Sequence, residues 1–372
     1  MTLASRRVDI RITDPRLNKA IKVLIVDDSM LVRESARKLL SAQANIHVMD
    51  TAVDAIAAWE KMQHEWPDVI VLDIQMPRMD GLSFLRKIMA ERPTPVVICS
   101  SLIANGAQAG IDALAAGAVG LISKPKTDVQ NFFNDESDSI VAAVRAAARS
   151  HPERLRPPAR PVVAHARPNP DPVERPSSGQ NAENRVIALG SSTGGTQALE
   201  TVLSALPSGL PGIVLVQHMP AGFTHKLADR LNKCTGLTVR EAQHKQPVEP
   251  GQALIAPAGK QMRLVRGLHV FHVEVLDGPV INRHRPSVDC LFGSVAKAAG
   301  AQAIGVLMTG MGDDGALGMK EMRDAGAYTI AEAEETCVVF GMPRAAIERG
   351  GVREVLPLHK IADKIRYWAT RF

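Results

Sequence analysis

The stretch Lys22–Leu40, KVLIVDDSMLVRESARKLL, decides the fold of the first half of the chain. It opens with a run of apolar, mostly β-branched residues, which is typical of a buried strand. After Ser29 it continues with the spacing of an amphipathic helix. Two acidic residues, Asp27 and Asp28, stand at the junction. A strand that leads directly into a helix is the building unit of parallel α/β sheets, so this stretch predicts an α/β domain.

The same alternation continues along the N-terminal part of the chain. Strands are predicted at Lys22–Val26, Ile46–Asp50, Val69–Leu72, Val96–Cys99 and Val119–Ile122. Helices are predicted at Ser29–Ala42, Val53–Glu65, Gly81–Glu91, Gln108–Ala115 and Ser137–Arg149. Strict alternation implies a parallel sheet with helices on both faces, which is the doubly wound, flavodoxin-like arrangement.

A proline-rich stretch interrupts this pattern. Residues 151–180 contain eight of the 24 prolines and almost no large apolar side chains. Each proline removes a backbone N–H donor and restricts the residue before it, so neither a helix nor a central strand can form here. We therefore predict a linker at 150–184 between a domain at 21–149 and a second domain at 185–372. Residues 1–20 are predicted to be a flexible tail.

The second half resumes the α/β pattern with one departure from it. Strands at Arg185–Leu189, Ile213–Gln217 and Ala303–Thr309 are each followed by a helical stretch. Between them, residues 237–276 contain short strands separated by proline and glycine turns. These short strands are predicted at Ala253–Ala256, Arg263–Val265 and His269–Val275. We expect a Rossmann-like parallel sheet with an antiparallel β excursion beside it.

Composition excludes several classes of protein. The 372 residues carry a net charge of +5, from 44 basic and 39 acidic side chains, and are 45% hydrophobic, which excludes wholesale disorder. Aromatic residues make up only 3%, too few for a platform that stacks nucleic-acid bases. The longest uncharged stretch, residues 93–111, is too polar to span a bilayer, and the four cysteines form no Cys-x-x-Cys pair. We expect a cytoplasmic, monomeric protein without membrane insertion or a nucleic-acid partner.

Polar side chains follow four strands of the first predicted sheet. Asp27 and Asp28 follow the first strand, Asp73 the third, Ser100 the fourth and Lys124 the fifth. The carboxyl ends of parallel strands are where open α/β sheets bind ligands. Converging carboxylates repel one another unless a cation lies among them, and oxygen ligands suit Mg²⁺. One aspartate could then accept a phosphoryl group, although an aspartate pair alone can also be a helix N-cap.

Taken in order, these residues resemble the receiver domain of two-component response regulators. The resemblance covers residues 21–126 and rests on VDDS at 26–29, DIQMP at 73–77, Gly81, Ser100 and Lys124-Pro125. It implies that Asp73 accepts phosphate from a histidine kinase. It further implies that Mg²⁺ is held by Asp73, Asp27, Asp28 and the backbone carbonyl of Gln75, and that Ser100 and Lys124 sense the phosphoryl group.

A glycine- and serine-rich turn, GSSTGG at 190–195, follows the first strand of the second half. A dinucleotide-binding turn would need a glycine where Ser192 stands, so that interpretation is disfavoured. The turn also fits Gly-x-Ser-x-Gly, in which small neighbours let a serine hydroxyl project above the sheet. Backbone N–H groups at the start of the following helix could stabilise an oxyanion.

A nucleophilic serine requires a base, and the base requires an orienting acid. His218 ends the next parallel strand, and Asp313 and Asp314 follow the strand at Ala303–Thr309. Spacing alone does not choose between the two aspartates, and either could instead cap the next helix. His269 and His272 are three residues apart on a predicted strand and face opposite sides, so they form no local metal pair.

The second half resembles the catalytic domain of chemotaxis response-regulator protein-glutamate methylesterases. The matching stretches are residues 190–195, 217–220 with 222–224, 285–289, 309–315 and 338–344. The resemblance implies that Ser192 is the nucleophile, His218 the base and Asp314 the acid. It also implies an oxyanion hole made of the backbone N–H groups of Thr193 and Met311. The chain order Ser, His, Asp differs from that of α/β-hydrolases.

Together the two resemblances imply a phosphorylation-activated enzyme that hydrolyses γ-glutamyl methyl esters on chemoreceptors and also deamidates their glutamines. The unphosphorylated receiver is expected to cover the catalytic cleft, Mg²⁺ to serve phosphorylation, and no cofactor to serve the esterase. Asp313 stands where the family commonly has Asn and is expected to raise the pKa of the base. Two alternatives remain open, a DNA-binding regulator and an adaptor without catalysis.

Overall fold

The first unit is a parallel sheet with helices on both faces. The structure is a computed structural model that describes residues 20–100, 104–124, 137–155 and 185–370. The strands are β1 (Ile21–Val26), β2 (Ile46–Ala52), β3 (Val69–Asp73), β4 (Val96–Ser100) and β5 (Gly120–Ser123), in the order β2-β1-β3-β4-β5. The helices are α1 (Met30–Ser41), α2 (Ala55–His64), α3 (Gly81–Glu91), α4 (Ala104–Ala115) and α5 (Ser137–Ala148). The predicted flavodoxin-like arrangement is confirmed.

Local sequence explains where these helices begin. Ser29, Asp54 and Asp80 are the N-caps of α1, α2 and α3, and each side chain accepts a hydrogen bond from a backbone N–H of the first turn. These bonds satisfy N–H groups that have no partner inside the helix. The buried strands β3 and β4 have no exposed residue, as expected for a sheet that is covered on both faces.

The second unit is built on a larger parallel sheet. Its seven strands are β6 (Val186–Ser191), β7 (Gly212–Gln217), β8 (Thr238–Glu241), β10 (Gln252–Ile255), β13 (Ala303–Leu307), β14 (Tyr328–Glu332) and β15 (Glu354–Leu356). They lie in the order β15-β14-β13-β6-β7-β10-β8. The helices are α6 (Gly195–Ser204), α7 (Thr224–Cys234), α8 (Val288–Ala299), α9 (Ala316–Asp324), α10 (Met342–Glu348) and α11 (Leu358–Thr370).

The antiparallel excursion is real but narrower than predicted. It is a three-stranded sheet of β9 (Gln246–Pro247), β11 (Gln261–Arg266) and β12 (Phe271–Leu276). The predicted strand at 253–256 does not belong to it, since β10 pairs in parallel with both β7 and β8. Short strands between turns look alike in the sequence, and only their long-range partners decide whether the pairing is parallel.

The predicted segment boundaries are only partly within the described residues. The tail at 1–19 and residues 156–184 of the predicted linker lie outside them, as does Pro125, so the proline-rich linker and the domain boundaries stay predictions. The first linker residues are described: Pro152–Arg154 forms a 3₁₀ turn after α5. Within the described ranges, no helix is both long enough and apolar enough to cross a membrane.

The receiver-like sheet contacts the second unit through α4. This helix packs against α6 and α7. The side-chain amide of Gln197 donates to the carbonyl of Leu114, and the guanidinium of Arg230 lies 3.8 Å from the carboxylate of Asp112. A Cβ atom at Gly110 would lie 2.9 Å from the ring of the buried Phe223. The two units therefore share an interface made by the helices that follow Ser192 and His218.

Candidate functional sites

The first candidate site lies where the strand order of the five-stranded sheet reverses, between β1 and β3. Asp27, Asp28 and Asp73 come together there, and one carboxylate oxygen from each lies within 4.8 Å of the others. The ammonium group of Lys124, at the end of β5, lies 2.7 Å from Asp27 and 2.7 Å from Asp73. The structure therefore brings together all four side chains that were predicted at these strand ends. Three converging carboxylates are the kind of oxygen donor set that a hard divalent cation such as Mg²⁺ prefers.

Burial dominates the electrostatics of Asp73. Desolvation raises the pKa of its carboxyl group above the ordinary value, the charge of Asp27 adds to this, and Lys124 opposes both. A carboxylate held this way is desolvated and close to a cation, as an attacking group for phosphorus should be. The backbone N–H of Gln75 also faces the Asp73 carboxylate.

Two further residues of the first unit, Ser100 and Gly81, have close contacts with the backbone. The hydroxyl of Ser100 is buried and donates 2.9 Å to the carbonyl of Gly106 in α4. It therefore connects the end of β4 to the helix that contacts the second unit. Gly81 starts α3, and a Cβ atom at this position would overlap the carbonyl of Asp73, so only glycine allows this close approach.

The second candidate site lies at the corresponding reversal of the seven-stranded sheet, around the end of β6. The last residue pair between β6 and β7 is Ser191 with Gln217, so Ser192 and His218 leave the sheet side by side. The side-chain amide of Gln217 donates to the backbone carbonyls of both residues, at 2.8 and 3.0 Å. Gly194 completes the turn with a φ of 78°, which favours glycine.

His218 and Asp314 form a direct hydrogen bond. The Nε2 atom of His218 lies 2.9 Å from Oδ2 of Asp314, and both side chains are buried. Ser287 Oγ (2.7 Å) and Asn282 Nδ2 (2.9 Å) donate to the other carboxylate oxygen of Asp314, and the N–H of Val288 donates to Oδ2 at 2.7 Å. Burial alone would raise the pKa of Asp314, but the donated hydrogen bonds and the charge of His218 outweigh it and hold that pKa well below its ordinary value.

This bond assigns different roles to the two nitrogens of His218. A carboxylate only accepts, so Nε2 carries the proton and Nδ1 of the neutral ring is an acceptor. Nδ1 is buried and has no hydrogen-bond partner in the described part of the chain. The described contacts include no hydrogen bond between His218 and the hydroxyl of Ser192. Hydrogen bonds of a catalytic site often tighten only when substrate binds, and Nδ1 is the atom available for that contact.

The two predicted oxyanion donors flank Ser192. The backbone of Thr193 is fixed at its carbonyl, which accepts a hydrogen bond of 2.9 Å from the hydroxyl of Thr309. Met311 follows Gly310, and a Cβ atom at Gly310 would lie 2.8 Å from Cβ of Ser192. Neither N–H of Thr193 nor that of Met311 donates a hydrogen bond within the described ranges. Both are therefore available to an oxygen bound beside Ser192.

Comparison with known proteins gives a family match for each of the two units. The response regulator receiver domain family model matches residues 23–132, and the CheB methylesterase family model matches residues 187–365. A protein-glutamate methylesterase/protein-glutamine glutaminase 2 of Pseudomonas syringae pv. tomato is 53% identical over 93% of this chain and 98% of its own length. The chain belongs to the CheB methylesterase family.

Other relatives of this methylesterase-family chain show the same coverage. A protein of the same name from Albidiferax ferrireducens is 55% identical over 92% of this chain and 98% of its own length. Among solved structures, the catalytic domain of Thermotoga maritima CheB methylesterase is 40% identical and covers 50% of this chain and 98% of that domain, with a TM-score of 0.49.

The role of His284 in this methylesterase-family chain was not predicted from the sequence. Its ring stacks on that of His218, with centroids 3.7 Å apart and planes 8° from parallel. Burial, followed by the charge of His218, lowers the pKa of His284 to about 4. A neutral ring thus covers one face of the base and restricts its rotation. The only sequence signal was position, since His284 directly precedes the matched stretch that begins at Arg285.

The partners of Asp314 were also missed. Asn282 and Ser287 lie in the loop between β12 and α8, about thirty residues before Asp314. Asp313, the other acidic candidate, pairs with a different residue, since its carboxylate lies 3.1 Å from the guanidinium of Arg349. The structure therefore brings Asp314, and not Asp313, into hydrogen-bond contact with the imidazole.

Proposed function

We propose that this chain is a phosphorylation-controlled protein-glutamate methylesterase and protein-glutamine glutaminase that acts in the cytoplasm on chemoreceptors. The names of its relatives, which it matches over nearly their whole length, support both activities. The observation that carries the catalytic part is the hydrogen bond of 2.9 Å between His218 and Asp314, which leaves Nδ1 as an acceptor beside the Ser192 turn.

The proposed reaction begins at Ser192. Its hydroxyl oxygen attacks the carbonyl carbon of a γ-glutamyl methyl ester while Nδ1 of His218 takes the hydroxyl proton. Asp314 keeps Nε2–H in place and stabilises the imidazolium that forms. The negative oxygen of the tetrahedral intermediate accepts hydrogen bonds from the N–H groups of Thr193 and Met311.

The intermediate collapses with release of methanol, which takes the proton from His218. Water then attacks the acyl-enzyme, His218 again acts as the base, and glutamate and free Ser192 are restored. A glutamine side chain has the same carbonyl with ammonia in place of methanol as the leaving group. The same residues can therefore deamidate glutamine.

Control is proposed to begin at Asp73, whose carboxylate oxygen takes a phosphoryl group from a histidine kinase. Asp27, Asp28 and Asp73, with the carbonyl of Gln75, would hold Mg²⁺, which neutralises charge on the transferring phosphoryl group. Lys124 lies 2.7 Å from Asp73 and can pair with a phosphoryl oxygen after transfer. Ser100, which donates to Gly106 in α4, can change partner when that oxygen arrives.

Phosphorylation is proposed to act on the catalytic site through α4. This helix packs against α6 and α7, which begin directly after the Ser192 turn and the His218 loop. A phosphoryl group can shift this arrangement only if it favours another position of α4. The contacts of Gln197 with Leu114 and of Arg230 with Asp112 support an unphosphorylated receiver that restrains the catalytic unit.

The two alternative functions receive no support. A DNA-binding regulator would need a basic recognition helix, and the second unit instead collects a hydroxyl, an imidazole and a carboxylate at one sheet edge. An adaptor without catalysis would have no need for the hydrogen bonds that converge on Asp314.

Methanol release from methylated receptor membranes tests the proposal, with and without acetyl phosphate. We expect the phosphodonor to stimulate the wild-type chain, and Asp73→Asn to keep the slow basal rate without stimulation. Asp50→Asn serves as a matched control, since Asp50 lies on β2 and pairs with Lys61 outside the pocket. Stimulation of Asp73→Asn by acetyl phosphate would contradict the proposed control, and absence of methanol release from the wild type would contradict the enzyme assignment.

A further inference from the structure

A fully buried carboxyl group lies beneath the catalytic loops. Glu332 is the last residue of β14 and is 0% exposed. Its Oε2 atom accepts a hydrogen bond of 2.8 Å from the backbone N–H of Thr309. Its Oε1 atom is buried and has no hydrogen-bond partner within the described residues. A buried acidic group with one open oxygen is costly, so its presence at this place calls for an explanation.

Thr309 connects the segments that carry the catalytic groups. Its carbonyl accepts 3.0 Å from the N–H of Ser192, and its hydroxyl donates 2.9 Å to the carbonyl of Thr193. The same hydroxyl accepts 3.0 Å from the N–H of Val339. Met311, the second oxyanion donor, follows two residues later. A displacement of Thr309 therefore changes the distance between the nucleophile and the donors of the oxyanion hole.

We propose that Glu332 is a positioning residue for hydrolysis, in which the carboxylate form fixes Thr309 and thereby sets the spacing between Ser192 and the N–H of Met311. The inference rests on the proposed roles of Ser192 and Met311. Glu332 touches none of the reacting atoms, and it acts only through the backbone of Thr309. A hydrogen bond from N–H to a charged carboxylate is shorter and stronger than one to a neutral carboxyl group.

The charge on Glu332 is balanced between two influences. Burial raises the pKa of its carboxyl group to about 7, while the hydrogen bond from the N–H of Thr309 and the charge of Arg154 oppose the rise. Burial also keeps Cys337 a neutral thiol, because it raises the pKa of that group far above its ordinary value. Glu332 therefore gains its charge near neutral pH.

The favourable charge comes from the first linker residues. The guanidinium of Arg154 donates to the backbone carbonyls of Glu334 (2.6 Å) and Cys337 (2.8 Å), in the turn that follows β14. Arg154 belongs to the 3₁₀ turn after α5, so it joins the receiver side of the chain to the turn beside Glu332. Removal of the Arg154 charge should therefore raise the pKa of Glu332 further and disfavour its carboxylate form.

The pH dependence of kcat/KM for methanol release, measured on the full chain between about pH 5 and pH 9, tests this role. In the wild type the carboxylate form of Glu332 is required in addition to a catalytic base, so the acid limb of log kcat/KM should be steeper than for one titrating group, with a slope approaching about two. Glu332→Gln keeps the shape of the side chain but cannot titrate. Its acid limb should have a slope of about one, and kcat at pH 8 should fall about three- to tenfold with little change in KM.

Two more variants complete the test. Arg154→Met should move the Glu332-dependent part of the acid limb to higher pH, and Glu335→Gln, which changes an exposed carboxylate on the same turn, should leave the profile unchanged. An acid limb in Glu332→Gln identical to that of the wild type, with Ser192→Ala inactive, overturns the role of Glu332 alone. Full activity of Ser192→Ala would instead overturn the proposed function. Circular dichroism establishes that each variant is folded.

Discussion

The two candidate sites occupy equivalent places in two parallel sheets and yet hold different chemistry. Each lies where the strand order reverses, at the carboxyl ends of β1 and β3 in one sheet and around β6 in the other. The receiver pocket collects Asp27, Asp28 and Asp73 around one lysine. The catalytic edge instead places one hydroxyl, one imidazole and one carboxylate after three neighbouring strands.

This difference shows what the backbone and the side chains each contribute. The sheet brings strand ends together and determines where ligands bind. The chemistry depends on the pairing of charges: three like charges favour a cation, whereas a carboxylate paired with an imidazole prepares a base. Removal of each feature by substitution should therefore affect a different property of the enzyme.

Replacement of Ser192 should have the largest effect. Ser192→Ala removes the attacking oxygen, and loss of a nucleophile of this kind lowers kcat by at least about 10⁵-fold. Ser204→Ala is the matched control, because that hydroxyl lies at the end of α6 and donates only to Thr201 within the described contacts. Methanol release provides the rate, and phosphorylation of Asp73 should be equal in both variants.

Replacement of the orienting acid separates the two adjacent aspartates. Asp314→Asn removes the charge that holds Nε2–H of His218 and should lower kcat about 10⁴-fold. Asp313→Asn should change kcat less than about threefold, because Arg349 already compensates the Asp313 charge at an exposed position. The acid limb of the pH profile of Asp313→Asn also tests whether Asp313 raises the pKa of the base, as the sequence predicts. A larger loss in Asp313→Asn than in Asp314→Asn would reverse the assignment.

Glu332 should make stability fall as pH rises. Its pKa is about 7 in the folded chain and 4.5 in the unfolded chain, so the folded state holds the proton longer. The contribution is complete below about pH 4.5 and is lost as pH rises to about 7, a difference on the order of 3 kcal/mol. Glu332→Gln should therefore gain stability relative to the wild type between these values.

Thermal unfolding followed at pH 4.5 and pH 8 provides this measurement. Glu335→Gln is the control and should track the wild type at both values, since that side chain is exposed. Equal differences in Tm between Glu332→Gln and the wild type at the two pH values would show that the pKa of Glu332 is not raised by folding.

The interface between the two units should yield the smallest effect. Asp112→Arg replaces the attraction to Arg230, at 3.8 Å, with repulsion between like charges. Because an exposed ion pair is worth at most about 1 kcal/mol, we expect the unphosphorylated basal rate to rise up to about fivefold. The variant should respond less to acetyl phosphate than the wild type. A basal rate below that of the wild type would contradict restraint by α4.

The fold was largely predictable because its signals are local. Apolar strands, amphipathic helices and polar residues at strand ends can be read within a short window, and these placed Asp27, Asp73, Ser192 and His218 correctly on the two sheets. The pairing of strands that are distant in the sequence was harder to predict. The strand β10 was assigned to the antiparallel part, because nothing in a short strand shows which neighbours it pairs with.

The parts of the catalytic site that escaped prediction depend on long-range contacts. His284 and Asn282 lie in an irregular loop, and only the folded chain brings them to His218 and Asp314. Glu332 ends an apolar strand, TIAE, where spacing cannot tell a buried carboxylate from an exposed one. Spacing also did not show whether Asp313 or Asp314 is the orienting acid. The hydrogen bond between Asp314 and His218 distinguishes the two.

The most direct test of the central claim is covalent labelling with a fluorophosphonate, mapped by peptide mass spectrometry on the full chain. An activated serine should form one adduct, on Ser192, and His218→Ala should abolish it while the protein stays folded. An adduct on a different residue, or labelling that is undiminished in His218→Ala, would show that this hydroxyl is not activated by the imidazole.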